Sequence, residues 1–423
     1  MAGKYKVPRG TYDILPSESY KWQFITQKFR EIAHLFNYRE IITPIFESSG
    51  LFERSVGDNS DIVQKEMYKF KDKKGRQFAL RPEGTAPVVR SYIENSLQMQ
   101  PNASKLYYIA PMFRYDRPQK GRYRQFYQYG VENIGSENPA YDAEVIAMGY
   151  IFLEKLGLQN FSLEINSIGC SNCSQDYDKA LIEYFSQYEA ELCKDCRNRL
   201  QKNPKRVLDC KVPTCRKIAQ NAPSMLDYLD EDCQNHFEKV QKYLQEMNIP
   251  FTVNPKIVRG LDYYTQTAFE FLNNNLGAQN AVCGGGRYNG LFQQLGGQNT
   301  PAIGFAGGME RLILSMENEG LSFGEEPHPQ AFVVALGDEA KEFSLSLVHK
   351  LRNEKIATDT SYEKNSLKAQ MKAADKSNAL YCLILGDDEL KTDTVTIKNM
   401  KTGEQKQIPL ATLVQAIKQR TLV

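Results

Sequence analysis

Residues Phe113–Gln128 read FRYDRPQKGRYRQFYQ. Five cations, Arg114, Arg117, Lys120, Arg122 and Arg124, fall within eleven residues. The run before them, Leu106–Phe113, is apolar. The run after them, Arg124–Ile134 (RQFYQYGVENI), alternates aromatic with polar side chains, as a half-buried strand does. Only the loop Tyr115–Tyr123 separates the two, so they are expected to pair antiparallel. Gly121 permits a tight turn within that loop. A cationic hairpin suits a polyphosphate, because guanidinium groups bind phosphate oxygens bidentately. On spacing alone, a solvated basic loop accounts for it equally well.

Outward from the hairpin, the first 165 residues alternate helix and strand patterns. Ser19–Phe36 carries Trp22, Ile25, Phe29, Ile32, Ala33 and Phe36 at helical spacing. Arg39–Glu47 (REIITPIFE) is short and β-branched with Pro44 inside it. Proline cannot donate to a ladder, so an edge or interface strand is expected. Phe78–Leu80 reads as a strand and Tyr141–Leu156 as a helix. From Cys170 to Asn248 the chain turns polar, rich in Cys and Gln, and helical in pattern, as an inserted helical module would be. Strand character returns at Phe251–Ile257 and Thr267–Leu272, before two glycine-rich segments, CGGGRYNG (Cys283–Gly290) and AIGFAGGMERLI (Ala302–Ile313). After the turn-rich Ser322–Gln330, strands and helices alternate to the end, which implies a small α/β domain with a mixed sheet. Its helix Ser366–Lys376 carries Lys368, Lys372 and Lys376 four apart, a basic stripe that Lys364 extends.

The chain has 423 residues, with 53 Lys+Arg against 51 Asp+Glu. A net charge of +2 excludes a polybasic protein but leaves room for a local basic groove. No uncharged apolar stretch approaches the ~20 residues of a membrane span. The N-terminal MAGKYKVPRGTYDILP has no apolar core, so no secretory signal is expected and the protein is expected in the cytoplasm.

Seven of the nine cysteines lie between Cys170 and Cys233. Cys170-x2-Cys173 and Cys193-x2-Cys196 are separated by 19 residues, which is zinc-ribbon spacing. Cys210, Cys215 and Cys233 lie nearby, so four ligands are not uniquely chosen. A structural zinc site and free buried thiols both remain open readings.

The hairpin resembles the second signature of class II aminoacyl-tRNA synthetases: a strand, FR, a loop with a further acidic residue, and a second antiparallel strand. Pro301–Ile313 (PAIGFAGGMERLI) resembles the third, a glycine-rich strand leading into a helix with an arginine, here Arg311. Arg39–Glu47 resembles the first, whose proline, here Pro44, sits at a dimer interface. RGLDYYT (Arg259–Thr265) and CGGGRYNGL (Cys283–Leu291) narrow the resemblance to the histidyl-tRNA synthetases, with RPEGTAP (Arg81–Pro87) and PRGTYDILP (Pro8–Pro16) in agreement. The resemblance covers essentially the whole chain in the right order. It implies an α+β catalytic core with an antiparallel sheet over residues 1–325, a mostly helical insertion at about 170–248, and a C-terminal anticodon-binding α/β domain with a mixed sheet over 330–423. The implied activity forms histidyl-adenylate and pyrophosphate from L-histidine and ATP with Mg2+, then transfers histidine to the 3′ end of its tRNA. The implied assembly is a homodimer, with no membrane association.

The same resemblance implies the roles of single residues. Arg114 matches the α-phosphate arginine. Arg259 matches a second arginine that does there the electrostatic work a metal does in related enzymes. Arg311 matches the arginine on the adenine and terminal phosphate, and Arg122 is a candidate for the outer phosphates. Glu83, Gly84 and Thr85 match the ammonium-binding loop. Gln128 and Glu132 match positions at the histidine amino group and imidazole, and their spacing puts both on one face of a strand. Tyr263 and Tyr264 match the pair lining the imidazole slot, and Gly284–Gly286 the pocket wall. Asp116 stands where the class commonly has glutamate, so its role is open. The alternative from another class is a non-catalytic histidine-sensing paralogue, such as the synthetase-like subunit of an ATP phosphoribosyltransferase. Those paralogues lack the C-terminal domain and erode the arginines, whereas both are present here.

Overall fold

The structure, a computed structural model, describes residues 5–56, 62–100, 104–208, 210–258, 261–276 and 280–419. Two compact units meet in sequence at Gly324 and Glu325.

The first unit opens with α1 (Pro16–Leu35), which buries Ile25, Phe29, Ile32 and Ala33, a stripe at the i, i+4, i+7, i+8 spacing of a core-facing helix. The next segment departs from the sequence reading. Arg39–Glu47 is not one strand: β1 (Arg39–Glu40) lies at the edge of the main sheet, and β2 (Phe46–Ser48) joins a separate small sheet. Pro44 lies between them in neither, and a residue without an amide N–H fits the point where the chain leaves one ladder for another. Helix α2 (Ser49–Val56) and strands β3 (Lys69–Lys71) and β4 (Gln77–Leu80) follow, giving the small sheet the order β2-β4-β3. Helix α3 (Thr85–Glu94) leads to the long strands β5 (Lys105–Phe113) and β6 (Gln125–Ile134), antiparallel as expected, with Phe113 opposite Gln125.

Helix α4 (Pro139–Lys155) starts at Asn138, whose Oδ1 accepts from the Ala140 amide at 2.9 Å. Strand β7 (Phe161–Ser167), unrecognised in the sequence, precedes the inserted module of α5 (Ser171–Ser186), α6 (Lys194–Lys202), α7 (Pro213–Ala219) and α8 (Glu231–Glu246). Among its described residues the module has no strand, as expected. Of Phe251–Ile257 only β8 (Thr252–Val253) is extended in a sheet. The unit finishes with β9 (Thr265–Asn273), β10 (Ala281–Arg287), α9 (Leu291–Gln294), β11 (Ala302–Gly308) and α10 (Met309–Asn318).

The main sheet runs β1-β5-β6-β11-β10-β9-β7-β8. Its six central strands are antiparallel, and the two short edge strands lie parallel to their neighbours. Phe29 and Phe152 from the helices pack with Tyr129, Phe269, Phe271 and Phe305 in one core cluster. The triple glycine of β10 lies mid-sheet. A Cβ on Gly285 would stand 2.1 Å from the Gly304 carbonyl oxygen of β11, so only glycine lets the two backbones come this close. At the end of β10, fully buried Arg287 pairs with fully buried Asp142 of α4. Asp142 also accepts from Thr267 Oγ1 at 2.6 Å and from His236 Nε2 at 2.8 Å. The buried ion pair therefore has its remaining valences filled, and it ties α8 of the inserted module to the core.

The second unit contains β12 (Ala331–Ala335), α11 (Asp338–Asn353), β13 (Thr358–Thr360), α12 (Leu367–Lys376), β14 (Tyr381–Leu385), α13 (Asp387–Lys391), β15 (Thr394–Asn399), β16 (Gln405–Pro409) and α14 (Leu413–Lys418). The sheet order is β13-β12-β14-β15-β16, parallel across the first three strands and antiparallel beyond, the mixed α/β unit expected. It has its own core on each face: Val333, Leu383 and Val395 with Leu347 and Leu351, and Phe332, Val334 and Cys382 with Ala374. Ser366 caps α12 through its Oγ, so Lys364 precedes the helix and does not extend its basic stripe. Lys368, Lys372 and Lys376 are exposed.

Candidate active site

A cavity of about 470 Å³ lies over the main sheet of the first unit. Val131, Phe269 and Phe271 turn into the core, so the alternation of each strand turns Gln128, Glu132 and Glu270 to the opposite face, where they line the cavity. Between these polar residues the floor is small. Gly304 stands opposite Glu132, Ala306 opposite Gly284, and Gly284 opposite Glu270. A Cβ on Gly304 would sit 2.0 Å from the Glu132 carboxylate. Glycine here is what makes room for an acid inside a sheet.

Glu132 is buried. It accepts from Thr85 Oγ1 at 2.7 Å and from the Tyr288 hydroxyl at 2.5 Å. Desolvation pushes its carboxyl up to about 8 despite those donors, and the nearby Glu83 charge adds to the rise. Glu83 closes the N-terminus of α3, accepting from the Thr85 amide at 2.7 Å and the Ala86 amide at 2.9 Å. Burial raises its pKa too, against the pull of those amides and of Arg114. Gln128 Oε1 is buried in the wall with no hydrogen-bond partner among the described residues. Tyr263 and Tyr264 line the cavity with ring centroids 4.8 Å apart, and Tyr263 also meets Tyr288 edge-on at 5.8 Å.

Arg114, Arg122 and Arg311 line the same cavity. Arg114 Nε donates to the Pro82 carbonyl at 2.7 Å, and its guanidinium lies 5.4 Å from the Phe126 ring centre. Arg311 Nη1 donates to the Ala281 carbonyl at 2.8 Å, and its Nε to that of Gly121 at 3.4 Å. Gly121 has φ +74°, and the turn it makes is closed by paired bonds between Gln119 and Arg122. Burial lowers the pKa of Arg114 and of Arg311, and the neighbouring cations lower it further. The three guanidiniums thus gather positive charge on one side of the cavity, with the Glu66 and Glu83 carboxylates partly offsetting it at Arg114. Arg122 pairs with Asp116, which also lines the cavity.

The structure thus brings Glu83, Thr85, Arg114, Arg122, Gln128, Glu132, Tyr263, Tyr264 and Arg311 around one cavity. Arg259 lies outside the described residues. Gly84 is not on the wall: a Cβ there would meet the Tyr108 ring at 2.3 Å, so its role is to let the Glu83–Thr85 loop lie against that ring. Of the triple glycine, only Gly284 lines the cavity.

Sequence reasoning missed Tyr108, Glu270, Tyr288 and Glu310. Tyr288 stood inside the quoted CGGGRYNGL, and Glu270 is the single acid alternating with buried phenylalanines in β9. Glu310 accepts from the Tyr127 amide at 3.0 Å and from the Tyr12 hydroxyl at 3.2 Å, and burial pushes its carboxyl up to about 7. Lys211, also on the wall, carried no sequence signal.

The cysteines are arranged differently from the spacing argument. Cys170 and Cys173 converge with Asp230 and Cys233, and Cys193 and Cys196 with Cys210 and Cys215. The two Cys-x2-Cys units therefore do not share one four-ligand site, because the fold carries each to a different partner.

The histidyl-tRNA synthetase family model matches residues 10–312, and the anticodon-binding domain model matches residues 330–420. The chain belongs to the histidyl-tRNA synthetase family. It is 50% identical over 416 residues to the histidine–tRNA ligase of Clostridioides difficile (strain 630), covering 98% of this chain and 99% of that one. To that of Geobacillus sp. (strain WCH70) it is 51% identical over 419 residues, covering 98% and 99%. Among solved structures it is similar to apo Staphylococcus aureus histidyl-tRNA synthetase, with a TM-score of 0.84 and 43% identity over 98% of this chain and all of that one. A Bacillus halodurans C protein described as an ATP phosphoribosyltransferase regulatory subunit/histidyl-tRNA synthetase shares the fold, at a TM-score of 0.67 and 22% identity over 91% of this chain and 99% of that one. Full-length relatives named as ligases favour the catalytic reading over the regulatory one.

Proposed function

We infer that this chain is a histidine–tRNA ligase, and that the cavity over the main sheet is where L-histidine and ATP react. One observation carries the placement: an acid- and tyrosine-lined recess and a three-arginine cluster share one cavity. The recess suits an amino acid with an ammonium and a ring bearing hydrogen-bonding nitrogens. Glu83, Thr85 and Glu132 hold the ammonium, the unpartnered Gln128 Oε1 accepts from the ligand, and Tyr263 and Tyr264 flank the imidazole.

Arg114, Arg122 and Arg311 take the triphosphate. When the histidine carboxylate attacks the α-phosphate, negative charge grows on its oxygens. Guanidiniums fixed in the cavity wall stabilise that charge more than the ground state, which is what lowers the barrier. Arg259 is assigned to the same phosphate on its motif. Mg2+, brought with ATP, would neutralise outer-phosphate charge, and the Glu270 carboxylate on the floor is an oxygen donor of the kind it takes. The released pyrophosphate leaves histidyl-adenylate held by the recess, and the terminal ribose hydroxyl of tRNA attacks its carbonyl, breaking the acyl–phosphate bond and expelling AMP.

We assign residues 1–325 to the catalytic domain, with the helical module at about 170–248, and residues 330–423 to anticodon binding. A homodimer acting in the cytoplasm completes the reading. Among the described residues, no helix is long and apolar enough to cross a membrane.

Histidine binding tests the recess. Glu132 titrates at about 8 when no cation is beside it, so near pH 7 it is mostly protonated. An ammonium against it favours the carboxylate and lowers that value. Binding should therefore release close to one proton per histidine near pH 7, and less above pH 8, where the group is already ionised. Calorimetry in buffers of different ionisation enthalpy reads this directly. Equal binding of phenylalanine, or an enthalpy independent of buffer, would contradict the assignment.

A further inference from the structure

The inserted module has its own core, and cysteines supply much of it: Cys173, Cys196, Cys210, Cys215 and Cys233 are buried among Tyr177, Leu181, Phe185 and Val207. A cysteine used only as a small apolar residue has no reason to aim its sulfur at another. Here the ligand atoms of Cys193, Cys196, Cys210 and Cys215 all lie within 4.8 Å of one another, and so do those of Cys170, Cys173, Cys233 and Asp230.

We propose that the module is held by two structural zinc ions, one on Cys193, Cys196, Cys210 and Cys215, the other on Cys170, Cys173, Cys233 and Asp230. The spacing fits. A tetrahedron with Zn–S of about 2.3 Å sets its sulfurs about 3.8 Å apart. The sulfurs of Cys193 and Cys210 are 3.9 Å apart, and those of Cys170 and Cys173 are 3.5 Å apart. A disulfide would need about 2.05 Å.

Backbone amides are turned to the sulfurs as thiolates need. The Cys196 amide donates to Cys193 Sγ at 3.4 Å and the Cys193 amide to Cys215 Sγ at 3.2 Å. The Asp230 amide donates to Cys173 Sγ at 3.2 Å. Such N–H···S bonds spread the charge of a metal-bound thiolate and orient the ligand. In the second site Asp230 is already fixed: Oδ1 caps α8 by accepting from the Cys233 amide at 2.8 Å, and Oδ2 lies 3.0 Å from Cys170 Sγ. Gly169, at φ +67°, lets the chain turn tightly against Cys173, where a Cβ would stand 2.7 Å from that of Cys173.

Both sites are closed, with four protein ligands and no position left for substrate, which is the structural type. They staple the helices of the module to one another near their ends. The first joins α6 to the segment before α7 and to α7 itself, and the second joins the start of α5 to the start of α8. Cys210 also precedes Lys211 on the cavity wall, so the first ion fixes part of the rim.

The test is metal analysis of the full-length protein, purified without chelator and dialysed against trace Zn2+. Two zinc ions per chain are expected, falling to one in Cys215→Ser and to one in Cys233→Ser. Because a variant could fail to fold, the wild-type chain is also stripped and reloaded with Co2+ alone. Intense ligand-field bands of tetrahedral thiolate-bound Co2+, saturating at two equivalents, are expected. One equivalent, lost only with Cys215→Ser, would overturn the Asp230 site. One equivalent, lost only with Cys233→Ser, would overturn the tetrathiolate site. Substoichiometric zinc together with octahedral Co2+ spectra would overturn both.

Discussion

Arg114→Gln should lower histidyl-adenylate formation by about a hundredfold or more while leaving histidine affinity within a few-fold. The guanidinium is held in the cavity wall, its position is set by the Nε bond to Pro82 and by the Phe126 ring, and its charge faces a cavity shared with two other arginines. Against the low-dielectric wall a fixed cation would act on the developing phosphate charge with less screening than in bulk water. Glutamine keeps a donor and removes the charge. The recess of Gln128, Glu132 and Tyr263 does not depend on Arg114 for its hydrogen bonds, so the ground state for histidine should survive. Arg259→His is expected to act in the same direction on the motif assignment. Pre-steady-state adenylate formation beside calorimetric histidine binding separates the two steps. Parallel loss of both, with an unchanged melting temperature, would make Arg114 a histidine-binding residue instead.

Ending the chain at about residue 327 should leave histidine-dependent pyrophosphate exchange within a few-fold of the full chain. The same truncation should cut kcat/KM for tRNA charging by about a hundredfold. The size follows from losing two or three base contacts at about 1–3 kcal/mol each together with phosphate attraction. The second unit has separate cores on both faces of its own sheet, and the catalytic residues assigned here lie in the first unit. On the proposed reading the exposed lysines of α12 would supply positive charge for phosphates, and unstacked anticodon bases would be read by their edges. The truncated protein must first be shown to fold and to keep the parent's association state. A folded truncation that charges tRNA as well as the full chain would defeat the anticodon assignment.

What was legible in the sequence is what repeats with a short period. The β5–β6 hairpin, α1 and the strand–helix alternation of the C-terminal unit, apart from the short α13, follow from alternation or helical spacing together with turn residues. So does the shared face of Gln128 and Glu132, since parity along one strand needs no knowledge of the partner strand. The failures are of two kinds. Arg39–Glu47 looked like one strand because β-branched residues continue through Pro44, yet strand identity depends on which ladder receives it. The cysteine pairing failed because loop spacing does not say where helices carry their ends. The triple glycine is the converse case, since its reason is a neighbour, the Gly304 carbonyl, that lies on another strand.

The central claim is that this one cavity joins L-histidine to ATP. Exchange of labelled pyrophosphate into ATP measures that step without tRNA, and each of the twenty amino acids can be offered in turn. The account predicts exchange that depends on L-histidine, is abolished by omitting it, and falls about a hundredfold in Arg114→Gln. Absence of exchange with histidine, in a folded full-length protein that binds it, would mean a sensing protein instead of a ligase.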